Sequence, residues 1–75
     1  MNAIHRLCAE VLNYPELTAD QDFFDVGGHS MMMAEIQERL HREHNLNISM
    51  EALFRNANVS ALNNLASASK AEVVN

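Results

Sequence analysis

One serine hydroxyl, set directly after two glycines and a histidine, carries the clearest chemical signal in this chain: Asp22-Phe23-Phe24-Asp25-Val26-Gly27-Gly28-His29-Ser30. Paired glycines permit tight backbone conformations and close approach, and a helical pattern begins at Ser30 itself. A phosphodiester on that hydroxyl would sit where unpaired N–H groups and the positive end of a helix dipole favour negative charge. The same spacing also describes a plain helix cap after a glycine turn. For His29 two readings stand side by side, a partly exposed loop residue and a residue that helps present Ser30. A nucleophile-and-base pair of the two is not expected, because neighbours at a helix start point in different directions and the G-x-S-x-G elbow of serine hydrolases is absent.

Other groupings are weaker. His41 and His44 lie three apart with Glu38 nearby, and His5 and Cys8 repeat that spacing. Two-ligand pairs do not define a metal centre, and surface histidines with a buried cysteine explain them, so no metal is expected. The acidic cluster Asp20, Asp22 and Asp25 lacks calcium-loop spacing, since Phe24 stands where an oxygen ligand is needed. It suits loop ordering or capping.

Helices must position the serine. From Ala3 to Leu12, the apolar Ile4, Leu7, Cys8 and Val11 recur at i, i+3, i+4 and i+7, one amphipathic stripe with Asn2 as its cap. Residues Asn13 to His29 hold Pro15, both glycines and no sustained period, and form a long loop. Phe23, Phe24 and Phe54 are expected in the core, the first two with Val26 pinning that loop. A second helix starts at Ser30, whose hydroxyl can cap free amides, and runs to about His44. At about 100° per residue, Met32, Met33, Ile36 and Leu40 share an inward arc, whereas Met31 and Ala34 face outward near Ser30. A short third helix, about Met50 to Arg55, follows Ser49. A fourth, about Ala61 to Ser69, follows Ser60 as cap and presents Leu62, Leu65 and Ala66. The tail 70–75 is expected to fray. The fold class is therefore all-α: a four-helix bundle, three longer helices and one short, with a long loop between helices 1 and 2, in a single domain spanning 1–75.

Composition narrows the role. Seventy-five residues, 48% of them hydrophobic, close one small core. Such a chain holds about 4 to 11 kcal/mol of folding free energy, too little to support a strained catalytic pocket, so binding, carrying or presenting is expected. Ten acidic against five basic side chains give a formal charge of -5, which opposes nucleic-acid binding. Cys8 has no internal disulfide partner and Met1 to Leu12 lacks the pattern of a signal peptide, so a cytoplasmic setting is expected. Nowhere do eighteen apolar residues run together, so no membrane span is expected. The sequons Asn47-Ile48-Ser49 and Asn58-Val59-Ser60 lack a secretory context and are read as chance.

The run from Asp22 to Ser30 resembles the core motif of peptidyl carrier (thiolation) domains of nonribosomal peptide synthetases, in the acyl-carrier-protein-like family. That motif is an aromatic-rich D-x-F-F-D-x-G-G-H-S run before a helix, and Ser30 matches its serine. Ile4 to Leu12 is similar to the family's first helix, Leu53-Phe54 to its third-helix pair and Val59 to Leu65 to its last helix, so the likeness covers nearly the whole chain. Fatty-acid carriers typically have aspartate directly before the serine, where this chain has His29. Met31 departs from the family's leucine, a swap of similar volume.

The resemblance implies a monomeric, non-catalytic carrier bearing 4′-phosphopantetheine, covalently attached from coenzyme A at Ser30, with Gly28 and His29 presenting the site. It implies a phosphopantetheinyl transferase and adenylation, condensation and thioesterase domains as partners, and aminoacyl or peptidyl thioesters as cargo. Around Ser30 the outward Met31 and Ala34, flanked by Gln37 and Glu38, are expected to form the docking face. Three alternatives stay open: an acyl or aryl carrier of a polyketide or hybrid pathway, an unmodified helical interaction domain, and a small serine-dependent hydrolase.

Overall fold

The computed structural model describes residues 2–74, with side chains described for 2–68. Four helices follow one another: α1 (Ala3–Leu12), α2 (Ser30–His44), α3 (Met50–Arg55) and α4 (Val59–Val74). The described residues contain no strand. The apolar stripes converge on one core in which Leu7, Cys8, Phe23, Met33, Ile36, Leu40, Leu53, Val59 and Leu62 are fully enclosed. At ~1.5–3 kcal/mol for each large apolar side chain, these few residues provide most of the driving force for folding.

Helix ends are set by side chains that serve the free amides. Asn2 Oδ1 accepts from the His5 amide at 2.8 Å, and Ser49 Oγ accepts from the Ala52 amide at 3.1 Å. Asn13 and Asn45 close α1 and α2 in the left-handed conformation, with φ of 53° at both. Asparagine tolerates that region because its short polar side chain bonds locally. The fourth helix corrects the expected cap. It begins at Val59, and Asn58, not Ser60, accepts from the Ala61 amide, at 2.7 Å. Ser60 lies one residue inside, and its amide donates to the Ala19 carbonyl at 2.9 Å. The backbone of α4 runs on to Val74, beyond the end expected near Ser69. Ala66, Ala68, Lys70, Ala71 and Glu72 all have high helix propensity.

The loop from Asn13 to His29 is tied down along its length. His5 Nε2 bonds the Leu17 carbonyl at 2.6 Å, the Thr18 amide donates to Gln21 Oε1 at 2.8 Å, and the Phe24 amide donates to Asp22 Oδ1 at 2.8 Å. Thr18 Oγ1 donates to Asp20 Oδ1 at 2.9 Å, so two of the clustered aspartates order the loop. Phe23 is the anchor: its ring is fully buried and its amide donates to the Ala57 carbonyl at 2.8 Å. The other two phenylalanines are not core residues. Phe24 and Phe54 are 42% and 44% exposed and lean on each other with ring centroids 5.8 Å apart. Phe23 and Phe24 are successive residues of one turn, so they face different ways. The small core takes the first ring, and the second finds its partner on α3.

Candidate prosthetic-group site

Ser30 is the first residue of α2, and two glycines place it there for two different reasons. Gly27 has φ of +95°, a conformation that side-chain-bearing residues rarely adopt. Gly28 is needed for space. Its amide donates to the Phe23 carbonyl at 2.8 Å, and a Cβ at this position would stand 2.6 Å from that oxygen and 3.2 Å from Leu12 Cδ2. Thus the buried Phe23 holds the turn on one side and Ala57 on the other, and α2 starts where this clamp releases the chain.

Ser30 does not cap the helix. The cap position belongs to His29, whose φ is −146° and whose side chain makes no capping bond. The His29 carbonyl accepts from the Met33 amide at 3.0 Å, which closes the first helical turn behind Ser30. Because Ser30 already lies inside the helix, its hydroxyl cannot reach back to the amides that a cap serves. It is exposed, and among the described residues it takes part in no hydrogen bond. The amides of Ser30, Met31 and Met32 likewise have no acceptor among the described residues. The site therefore offers a free hydroxyl beside uncommitted N–H groups at the positive end of a fifteen-residue helix. These features fit a phosphodiester on Ser30: its oxygen can be esterified without breaking a hydrogen bond to any described residue, and the phosphate charge meets uncommitted N–H donors.

Around the serine, Met31 is 78% exposed and Ala34 also faces solvent, as the helical arithmetic placed them, and Glu38 is exposed as well. Gln37 is only half-exposed. Its Nε2 donates to the Ile48 carbonyl at 2.8 Å and ties the α2–α3 connection to α2, so its amide is already engaged. Gln37 and Glu38 also line, with His41, Asn47, Ile48 and Ser49, an open groove of about 550 Å³ further along the helix. Among the described residues no three His, Cys, Asp or Glu side chains gather as a metal set. No helix among them is long and apolar enough to cross a membrane.

The residue patterns missed two supports of the site, His5 and Arg39. Arg39 Nη2 reaches Glu10 of α1 at 3.1 Å while its Nε holds Glu43 of α2 at 2.8 Å. The Glu43 spacing of i, i+4 is visible in sequence, but nothing in the sequence pairs Glu10 with a residue 29 positions away.

Among the described residues the domain is all-helical, and it holds an exposed serine hydroxyl at the first residue of α2. The chain matches the family described as phosphopantetheine attachment site over residues 2–65 and belongs to that family, whose members are defined by a covalent 4′-phosphopantetheine group. It is 38% identical over 53 residues to a hybrid PKS-NRPS synthetase of Thermothelomyces thermophilus, covering 71% of this chain and 1% of that protein. Tyrocidine synthase 3 of Brevibacillus parabrevis is 34% identical over 53 residues, 71% of this chain and 1% of the synthase. A dimodular nonribosomal peptide synthase of Bacillus subtilis is 34% identical over 56 residues, 75% of this chain and 2% of the synthase. The chain thus spans about a hundredth of the length of the first of these relatives.

Proposed function

We propose that Ser30 is the attachment point of 4′-phosphopantetheine and that the domain carries aminoacyl or peptidyl groups between partner enzymes of nonribosomal peptide synthesis. The observation that carries this reading is the Ser30 hydroxyl itself, exposed, without a hydrogen bond to any described residue and fixed at the first residue of α2. When bound, the group supplies a thiol on a long flexible arm, on which an acyl group is held as a thioester at high effective concentration near each partner. The chain's own residues position that arm. Gly27 and Gly28 set the turn, Phe23 clamps it, and the α2 amides favour the phosphate charge.

In this reading the domain is a substrate of other enzymes and makes or breaks no cargo bond. A phosphopantetheinyl transferase loads it, and adenylation, condensation and thioesterase domains act on the cargo. Met31, Ala34 and Glu38, with the part of Gln37 left exposed, form the docking face, and His29 borders it. The setting is the cytoplasm, which suits the free, buried thiol of Cys8. Acyl or aryl cargo is the second reading, favoured by the hybrid polyketide–peptide synthetase among the relatives.

The test is intact mass before and after incubation with coenzyme A and a broad-specificity phosphopantetheinyl transferase. One phosphopantetheinyl gain, absent in Ser30→Ala, is expected. No gain on a folded chain overturns the carrier reading and leaves an unmodified interaction domain. Met31→Asp is expected to slow loading with the thermal midpoint preserved, and unchanged loading would remove Met31 from the docking face.

A further inference from the structure

Three methionines run in sequence at the start of α2, and the fold separates them sharply. Met31 is 78% exposed, Met32 is half-buried and Met33 is fully enclosed. Met50, at the start of α3, is half-buried as well. The lone thiol, Cys8, lies in the core with no exposed surface, and burial keeps it protonated. Among the described sulfur-bearing residues, then, the one most open to an aqueous oxidant is Met31, the residue directly after Ser30.

We propose that Met31 is a peroxide-sensitive modification site whose oxidation to the sulfoxide suppresses loading at Ser30. A lone pair on Met31 Sδ attacks one oxygen of the peroxide and the O–O bond breaks. The sulfur is oxidised by two electrons and the peroxide is reduced; with hydrogen peroxide, the departing hydroxide takes the proton of the transferred hydroxyl and leaves as water. The product replaces a flexible apolar side chain with a polar one that is chiral at sulfur, at the most exposed large apolar residue among those described. A partner that buries Met31 must then desolvate the S–O group, so association weakens while the core, built on Met33, Ile36 and Leu40, is untouched. The change is reversible by a thiol-dependent sulfoxide reductase. The suppression of loading rests on the reading of Met31 as a docking residue, whereas the site of oxidation does not.

The experiment uses the apo chain treated with hydrogen peroxide, which catalase then removes before coenzyme A and transferase are added. Peptide mass mapping is expected to show oxygen added to Met31 ahead of Met32 and Met50, and about tenfold faster than to Met33. The loading rate is expected to fall roughly tenfold, and methionine sulfoxide reductase with a thiol reductant to restore it. Met31→Leu, compared with its own untreated rate, is expected to lose nothing on treatment. Oxidation of Met32, Met33 or Met50 before Met31, an unchanged rate with Met31 oxidised, or an equal loss in Met31→Leu each overturns the proposal. If Met31→Asp slows loading and the sulfoxide does not, the docking reading survives and the redox gate falls. If neither slows it, both fall.

Discussion

The amide of Gly28 donates to the carbonyl of Phe23 at 2.8 Å, and a methyl group on Gly28 would stand 2.6 Å from that same oxygen. One backbone contact thus sets both the shape of the turn and the kind of residue that can make it. Since the obstacle is backbone and not a flexible side-chain tip, Gly28→Ala must push the turn off Phe23. The expected cost is about 1–3 kcal/mol, read as a lowered urea midpoint. Loading at Ser30 should slow as well, because the start of α2 moves with the turn. A variant with an unchanged midpoint would show that the turn relaxes freely and that the clamp does not position the serine.

Arg39 joins α1 to α2 through Glu10 and Glu43, and its hydrogen bond holds the Glu43 carboxyl below the usual carboxylate range. A folded-state value below the unfolded one means that the contribution is fully present above the ordinary carboxylate pKa, near 4.5. It is lost as pH falls through the lowered folded value. The Glu43 carboxylate is open to solvent and Arg39 partly so, and the effect is therefore small and salt-dependent. The urea midpoints of the parent and Glu43→Gln are expected to differ slightly at pH 7 and low ionic strength. They should converge as pH falls through the lowered folded value or in 1 M salt, and a gap that persists there would show that packing, not charge, is what the substitution removed.

Periodicity alone made α1 and α2 legible, because a stripe such as Ile4, Leu7, Cys8 and Val11 has no other place to go than the core. The outward position of Met31 followed from the same arithmetic. Caps were legible only where a single candidate stood before the helix. Asn2 and Ser49 were found, but Ser60 was expected where Asn58 is the cap, and the Ser60 amide instead meets the carbonyl of Ala19, a residue about forty positions away. Ser30 looked like a cap for the same reason. What makes it a free hydroxyl is the extra helical turn begun by the His29 carbonyl, a matter of backbone angles that residue types do not encode. The division of labour between the two glycines, and the exposure of Phe24 beside Phe54, likewise depend on contacts across the fold.

His5 is half-buried and its Nε2 meets the Leu17 carbonyl at 2.6 Å, fastening the first part of the loop to α1. Replacing it with alanine leaves that carbonyl to water and removes one net hydrogen bond, about 0.5–1.5 kcal/mol. The effect should be local. Amide exchange at Gln21, whose N–H bonds the Thr18 carbonyl within this segment, is expected to speed up more in His5→Ala than exchange in α4. Uniform acceleration across the domain would instead mean that His5 contributes to global stability and does not act as a loop fastener.

Cys8 sits in the core with no exposed surface, and burial pushes its thiol up to about 12, with the nearby positive charge of Arg39 opposing the shift weakly. The folded chain thus favours the neutral thiol more strongly than the unfolded chain does. Stability from this source is fully present below the ordinary thiol value of 9.0 and is lost as pH rises from there toward 12. Two results are expected. A disulfide-exchange reagent at pH 8 should label the native protein only as fast as the core opens, yet label the urea-unfolded chain at once. The parent should also lose stability between pH 9 and 11 relative to Cys8→Ala, which carries no titrating group there. Alanine leaves a small cavity at neutral pH, of order 1 kcal/mol, so the two urea midpoints should approach each other as pH rises. If they run parallel from pH 7 to 11, the thiol is less enclosed than its place between α1 and the core implies.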